Sequence, residues 1–209
     1  MHRPQRAQHE DDLIAYYDNE IRQRAARELS SRRVLRRTEY LDLLSRERIA
    51  DLIEIGCGPG RDGIAFADAG FVYTGVDLAP QSVATARSLG LNACRASVLR
   101  LPFEDKSFSA GWTMSTLLHI ADIDLDAALA EILRVLRPGA PLAIGLWGAP
   151  HGSEQKWDDG NGHGPARFFS IRTDAALRVV LERHGGLEQW LTWPGERNWH
   201  YQWAVLRRG

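Results

Sequence analysis

Three glycines at alternate positions, Gly56, Gly58 and Gly60, mark the part of the chain best suited to holding a ligand. They follow a short apolar run, 52–55, which has the length and composition of a buried strand. An apolar helical pattern comes next, so the order is strand, glycine-rich turn and helix. Glycine lets the backbone turn tightly and approach a ligand, and the free N–H groups at the helix start favour anionic or polar groups. This stretch predicts a nucleotide-binding unit.

Two carboxylates near the turn bear on the class of cofactor. Residues 58–63 satisfy G-x-G-x-x-G, the dinucleotide pattern, and Asp77 lies about 20 residues further on. Glu54, however, lies two residues before Gly56, the first of the alternate glycines. Its carboxylate would repel a pyrophosphate and attract a cofactor that carries positive charge. The pattern therefore favours a cationic cofactor, and a nicotinamide-dependent oxidoreductase stays open as the alternative.

The segment 54–60, an acid followed by alternate glycines, resembles motif I of class I S-adenosylmethionine-dependent methyltransferases. This resemblance implies a methyltransferase with S-adenosylmethionine as cofactor and S-adenosylhomocysteine as product. A module that binds the cofactor without catalysis is a further alternative. Four more segments resemble motifs of the family in the same order, namely 75–80, 101–108, 110–120 and 134–139.

The resemblance also implies which residues hold the cofactor. Asp77, at the end of the second strand, would accept hydrogen bonds from both ribose hydroxyls, because a carboxylate has two oxygens. Ser97 stands where the family often has an acid beside the adenine amino group, and it offers no charge. The expected cofactor-binding residues are Glu54, Gly56, Cys57, Gly58, Gly60, Asp77, Leu78, Ser97, Val98, Thr113 and Tyr16.

His119 is the candidate catalytic residue, because it follows the fourth strand near the expected methyl group. It would act as a general base where the acceptor must lose a proton, and a packed histidine is the alternative. Trp147 and Tyr17 are the candidate acceptor-binding residues, with core packing as the alternative for Trp147. The segment 114–116 differs from the Asn/Asp-Pro-Pro-Tyr/Phe segment of enzymes that methylate amino groups of adenine or glutamine. A small-molecule acceptor is therefore expected.

Composition limits the partners. The chain has 26 Lys plus Arg against 27 Asp plus Glu, a formal net charge of −1. This balance gives no basic field for nucleic acid or for a membrane surface. No apolar run approaches the roughly 18 residues of a membrane span, and no signal peptide is visible. The two cysteines form no paired motif, which indicates reduced thiols. We expect a cytoplasmic monomer or homodimer that requires no metal.

The alternation of apolar runs and helical patterns predicts an α/β fold with a doubly wound sheet. Strands predicted at 187–193 and 199–206 are joined by a short connection, which suits an antiparallel pair. The resemblance implies seven strands in the order 3-2-1-4-5-7-6, with the last strand antiparallel.

Outside the sheet, the sequence predicts three further segments. Residues 1–12 are polar and are expected to form a disordered tail. Residues 13–46 are expected to form an N-terminal helical cap, and 13–209 a single methyltransferase domain. The glycine-rich segment 148–167 follows the carboxyl end of a parallel strand, where ligands bind in such folds, and is expected to be a lid loop.

Overall fold

The structure, a computed structural model, describes residues 3–195 and 198–209, which form a seven-stranded sheet flanked by helices and a separate two-stranded hairpin. The helices are α1 (Arg3–Ala26), α2 (Ser31–Arg46), α3 (Arg61–Asp68), α4 (Pro80–Ser88), α5 (Asp122–Val135) and α6 (Asp174–His184). The strands are β1 (Asp51–Ile55), β2 (Val72–Asp77), β3 (Ala93–Arg95), β4 (Gly111–Met114), β5 (Pro141–Gly148), β6 (Ser153–Trp157), β7 (Arg167–Ile171), β8 (Gly185–Pro194) and β9 (His200–Arg208). None of these helices is both long enough and apolar enough to cross a membrane.

The sheet has the order β3-β2-β1-β4-β5-β9-β8. β9 runs antiparallel to both of its neighbours, whereas the other pairs are parallel. The hairpin of β6 and β7 lies outside this sheet. When the hairpin is left out of the numbering, the strands read 3-2-1-4-5-7-6, and the predicted fold is confirmed. The carboxyl ends of β1, β2 and β4 lie side by side, where an open α/β sheet binds its ligands.

The core lies on both faces of the sheet, as the alternation of side chains along β1 shows. Ile53 and Ile55 belong to the cluster that includes the buried face of α5. Leu52 belongs to the second cluster, with Phe66 of α3 and Trp112 of β4. Because these side chains are withdrawn from water on both faces, the apolar residues of the strand do not alternate with exposed polar ones, and Glu54 is itself buried.

α1 replaces most of the disordered tail expected over 1–12; residues 1 and 2 lie outside the described part of the chain. The prediction failed because the segment is polar and its stabilising contacts are with distant residues. Asp12 is buried and accepts a hydrogen bond from Lys156 Nζ at 2.6 Å. Arg6 forms an ion pair with Asp124. Tertiary contacts of this kind support helices that periodicity and propensity alone do not indicate.

The segment 148–167, expected to be an irregular lid loop, contains β6 and the turn that leads to β7. β6 is largely exposed and polar, so it lacks the apolar alternation by which strands are recognised. The turn between β6 and β7 lies against α1. Asn19 Nδ2 donates to the carbonyl oxygen of His163 at 2.8 Å, and the His163 ring bonds to Gln23 Oε1 at 2.7 Å.

Candidate functional site

The glycine-rich turn between β1 and α3 has a backbone that other residues would adopt only with strain. Gly56, Gly58 and Gly60 have φ angles of 78°, 54° and 87°. A Cβ atom at position 56 would also lie 1.9 Å from Oγ1 of Thr116, which follows β4. The turn therefore depends on glycine for its conformation and for its close contact with the next segment of the site.

Asp77 ends β2 directly beside this turn. One carboxylate oxygen accepts the Gly58 N–H at 2.8 Å, and the other accepts the Ala79 N–H at 2.9 Å. Burial raises the pKa of Asp77, while these two N–H groups favour its ionised form. Both bonds fix the orientation of the carboxylate at the wall of the pocket described next.

A largely apolar pocket lies at the carboxyl ends of β1, β2 and β4 and is covered by α1. Eight of the predicted site residues line it: Gly56, Gly58, Asp77, Leu78, Ser97, Val98, His119 and Tyr17. Tyr17 was expected to contact the acceptor, and it lines the same pocket as the residues expected to bind the cofactor. The pocket thus gathers predicted residues from the ends of four strands, β1 to β4, and from one helix, α1.

α1 contributes a stripe of pocket residues that the sequence analysis missed, apart from Tyr17. The stripe repeats at intervals of three, four and seven residues, as expected for one helix face. A search for apolar periodicity begins only at position 13, because the earlier members are polar. These lining residues are Arg6, His9, Glu10, Leu13, Ile14, Tyr17 and Arg24.

The hydroxyl of Ser97 is bonded to one of these residues. Ser97 Oγ donates to Glu10 Oε1 at 2.6 Å and accepts the Leu99 N–H at 3.3 Å. Ser97 itself brings no charge to the end of β3, but the carboxylate of Glu10 lies there and lines the pocket. An acid therefore stands at this end of the pocket, supplied by α1 and not by the strand.

His119 lies in the short 3₁₀ turn after β4, with both ring nitrogens engaged. Nδ1 lies 2.8 Å from the carbonyl oxygen of Phe168, which can only accept, so Nδ1 carries the hydrogen. Nε2 therefore accepts the Tyr17 hydroxyl at 2.7 Å. Burial lowers the pKa of His119 to about 3, so the neutral ring is a weak base. This geometry gives His119 a role in positioning Tyr17.

Tyr16, expected at the cofactor, is buried outside this pocket lining. Its hydroxyl donates to Asp159, and the guanidinium of Arg167 lies 3.7 Å from its ring centroid. Neighbouring residues on a helix point about 100° apart, and here Tyr17 faces the pocket whereas Tyr16 points away from it. The sequence pattern did not show which one would face it.

Glu54 also lies apart from the pocket wall. It points to the same face of the sheet as Leu52, where Tyr73 Oη donates to Glu54 Oε2 at 2.6 Å. Burial and the nearby Asp62 raise the pKa of Glu54 well above its ordinary value. The expected cofactor-binding residues outside the described lining are therefore Glu54, Cys57, Gly60, Thr113 and Tyr16.

A second, open cavity of about 1070 Å³ adjoins the first, and Ser115 lines both. Trp147 lies here, in an edge-to-face contact with Tyr201 at 5.0 Å between ring centroids. Ser115 has a left-handed backbone with φ of 57°, and its hydroxyl lies 3.1 Å from that of Tyr201. A backbone of this kind on a residue other than glycine often accompanies a functional site. The two cavities thus meet at one constrained residue.

Comparison with known proteins was made at the level of sequence and of fold. A family model described as a methyltransferase domain matches residues 52–139. The O-methyltransferase rstn1 of Aspergillus nomiae is 31% identical over 140 residues, which cover 63% of this chain and 60% of that protein. The 27-O-demethylrifamycin SV methyltransferase of Amycolatopsis mediterranei is 33% identical over 103 residues, which cover 45% of this chain and 37% of that protein. The chain therefore spans less than two thirds of the length of these curated relatives.

The fold has a close counterpart among solved structures. The 1,6-didemethyltoxoflavin-N1-methyltransferase of Burkholderia thailandensis, crystallised with 1,6-didemethyltoxoflavin and S-adenosylhomocysteine, matches with a TM-score of 0.64 and 19% identity. The match covers 87% of this chain and 92% of that structure. With the matched family model and the sheet order, these findings support a class I S-adenosylmethionine-dependent methyltransferase.

Proposed function

We propose that this chain binds S-adenosylmethionine and transfers its methyl group to a small-molecule acceptor. The observation that carries the proposal is the pair of cavities that meet at Ser115. The first holds the fixed carboxylate of Asp77, and the second is walled by aromatic side chains. Transfer between two bound molecules requires such adjoining sites, because most of the acceleration comes from holding the reacting atoms together.

The pocket residues suit S-adenosylmethionine, which would supply a methyl group activated by a positively charged sulfur. Asp77 would accept the ribose hydroxyls, since its two oxygens are held at the pocket wall by backbone N–H groups. Gly56 and Gly58 line the pocket and carry no side chain, so the cofactor could approach their backbone closely. These assignments rest on the fixed carboxylate and the glycine conformations.

Arg24 is the residue we assign to the methionine carboxylate of the cofactor. A Cβ atom at Gly58 would lie 3.7 Å from Arg24 Nε, so the guanidinium stands directly beside the glycine turn. Arg24 also pairs with Glu20 at 3.3 Å, which positions it along α1. A guanidinium can hold a carboxylate through two parallel hydrogen bonds, and this geometry suits one end of an extended ligand.

The names of the relatives guide the proposed acceptor atom. Both sequence relatives described above are named as methyltransferases that act on oxygen, and we propose the same for this chain.

The free thiols of Cys57 and Cys94 support the proposed cytoplasmic location, and a monomer or homodimer remains the proposed assembly. His119 is assigned to positioning Tyr17, because its low pKa makes it a poor general base.

Isothermal titration calorimetry tests the cofactor assignment. S-adenosylhomocysteine should bind, and NAD should not. Asp77→Asn should weaken the binding of S-adenosylhomocysteine about ten- to a hundredfold, since a hydrogen bond to a charged group contributes about 1.5–3 kcal/mol. The exposed Asp42→Asn serves as the matched control and should bind as the wild type does. Binding of NAD without S-adenosylhomocysteine would favour the oxidoreductase alternative.

A transfer assay tests the reaction itself. The protein is incubated with methyl-labelled S-adenosylmethionine and a panel of hydroxylated small molecules, and labelled products are separated by chromatography. We expect labelled product with at least one acceptor, formed together with S-adenosylhomocysteine. Cofactor binding without transfer to any member of a broad panel would favour the non-catalytic alternative.

A further inference from the structure

The second cavity has walls suited to a flat ligand. Trp147 and Trp199 contribute rings whose centroids lie 6.5 Å apart, and Tyr201 meets Trp147 edge to face. Trp193 stacks on Tyr201 at 5.0 Å with an interplanar angle of 24°. Large aromatic surfaces that remain open to a cavity favour a ligand that can stack on them or meet their edges.

The cavity also has an excess of positive charge. Its described lining includes five arginines and three carboxylates, namely Arg27, Arg32, Arg33, Arg61 and Arg167 against Glu28, Asp158 and Asp159. Asp159 is already paired with Arg167 at 2.8 Å. An anion in this cavity would meet a favourable local potential.

Near α1, α2 and α3, each of two carboxylates pairs with two arginines. Four of them pair with two acids: Arg24 and Arg27 with Glu20, and Arg33 and Arg37 with Asp62. Arg61 donates to the carbonyl oxygen of Arg27 at 2.5 Å, and no carboxylate of the described residues lies within ion-pair distance of it. Burial and the neighbouring Arg33 and Arg24 lower the pKa of Arg61 to about 10. A bound anion would relieve this repulsion between like charges.

We infer that the acceptor is a planar aromatic oxyanion, a phenolate or an aromatic carboxylate, which stacks among the tryptophans and is held by Arg61 and its neighbours. Methylation of an oxygen that is already ionised releases no proton. Such an acceptor therefore suits a site whose histidine is a weak base. The inference rests on the proposed function for its place beside the methyl donor, but the binding of the anion can be tested without any cofactor.

Three bicyclic ligands of similar size separate flatness from charge. 2-Naphthoate is flat and anionic, 2-naphthamide is flat and neutral, and decahydronaphthalene-2-carboxylate is anionic but not flat. Their binding to the full chain is measured by calorimetry without cofactor and again with S-adenosylhomocysteine. We expect 2-naphthoate to bind at least about tenfold more tightly than either of the others, since it alone can both stack on the aromatic rings and accept charge-assisted hydrogen bonds.

A variant of Arg61 tests whether the arginines that line the cavity cause the preference for an anionic ligand. Arg61→Met should weaken the binding of 2-naphthoate about tenfold and leave the binding of 2-naphthamide unchanged. Arg46→Met is the matched control, because Arg46 is exposed at the end of α2 and outside the cavity lining. A phenolate such as 4-nitrophenolate, compared with nitrobenzene, then shows whether phenolates share the preference seen for carboxylates.

The outcomes separate this inference from the proposed function. Equal binding of 2-naphthoate and 2-naphthamide by the wild type would overturn the inference, even if S-adenosylhomocysteine binds well. Failure of S-adenosylhomocysteine to bind would overturn the proposed function, whereas a preference for 2-naphthoate would still support an aromatic-anion site. Because the ligand comparison uses the wild type, it holds even if the Arg61 variant does not fold.

Discussion

Glu10 brings a carboxylate from α1 to the end of β3, where Ser97 Oγ donates to it at 2.6 Å. If the adenine lies there, its 6-amino group would donate to the remaining carboxylate oxygen. We expect Glu10→Gln to weaken S-adenosylhomocysteine binding about tenfold and to reduce discrimination against the inosine analogue, which has an oxygen in place of the amino group. Calorimetry with both ligands gives the affinity ratio for each protein.

The neighbouring Asp11 supplies the control for Glu10, because it is exposed on the same helix and outside the pocket lining. Asp11→Asn should keep the wild-type ratio between the two ligands. If Glu10→Gln kept that ratio as well, the carboxylate would have no part in reading the adenine.

His119 predicts a dependence of stability on pH. Its pKa is about 3 in the folded chain, below the ordinary value of 6.5. As pH falls below 6.5, His119 takes up a proton in the unfolded chain at a higher pH than in the folded chain. The free energy of unfolding therefore declines between pH 6.5 and 3. The decline attributable to one such group is at most about 1.4 kcal/mol per pH unit. Urea unfolding across this range should show a shallower decline for His119→Gln, and equal slopes would contradict the assignment.

The position of an individual residue of the site can be predicted from the sequence where a local pattern determines it. The glycines and Asp77 are such residues, since the strand–turn–helix sequence itself places them at the sheet edge. Tyr16 and Tyr17 were not separated, because their directions depend on how α1 is rotated against the sheet. Glu54 was placed at the cofactor on grounds of charge, but the pleat of β1 turns it towards Tyr73. Charge patterns do not reveal which face of a strand a residue occupies.

At the scale of elements, a buried ion pair connects α2 to α3. Asp62 is 1% exposed and accepts hydrogen bonds from Arg33 Nε and Arg37 Nη1, both at 2.8 Å. Trp112 Nε1 of β4 donates to it at 3.1 Å. Burial alone would raise the pKa of Asp62, but the two arginines hold it below its ordinary value. The carboxylate is therefore charged and joins three elements.

Asp62→Asn should lower the free energy of unfolding by up to about 3–5 kcal/mol, because it leaves the partly buried Arg33 and Arg37 without their counter-charge. Urea denaturation followed by circular dichroism measures the change. Asp68→Asn, on the exposed face of the same helix, should change stability by less than about 0.5 kcal/mol. Similar values for the two variants would show that the ion pair contributes little to holding α2 against α3.

Among the elements, those with strong local signals were predicted well. Residues 80–88 form a helix with Pro80 in its first turn, and Thr173 caps α6 through its hydroxyl, and both are signals that the sequence itself carries. β6 and the start of α1 were missed because both are polar and depend on partners distant in sequence. A strand such as β6 becomes recognisable only when β7 lies beside it.

For the whole molecule, the arrangement of α1 suggests how ligand binding and stability are connected. α1 covers the pocket and is held to the rest of the chain by polar contacts as well as by the buried side chains of Leu13 and Tyr16. Gln81 N–H donates to Asp18 at 2.9 Å, and Lys156 pairs with Asp12 at 2.6 Å. A surface helix held in this way should open more readily than the central strands, which are buried on both faces of the sheet.

S-adenosylhomocysteine should therefore slow amide hydrogen exchange in α1 more than elsewhere, because a bound ligand adds contacts to Glu10, Tyr17 and Arg24 on one helix face. The segment 158–166 should be slowed too, since it lies against α1. α6, whose residues are all described, lines neither cavity and serves as the internal control. Exchange followed by mass spectrometry measures all three segments in one experiment. If binding slowed α6 as much as α1, the ligand would stabilise the chain only globally, and α1 would not act as a separate cover for the cofactor.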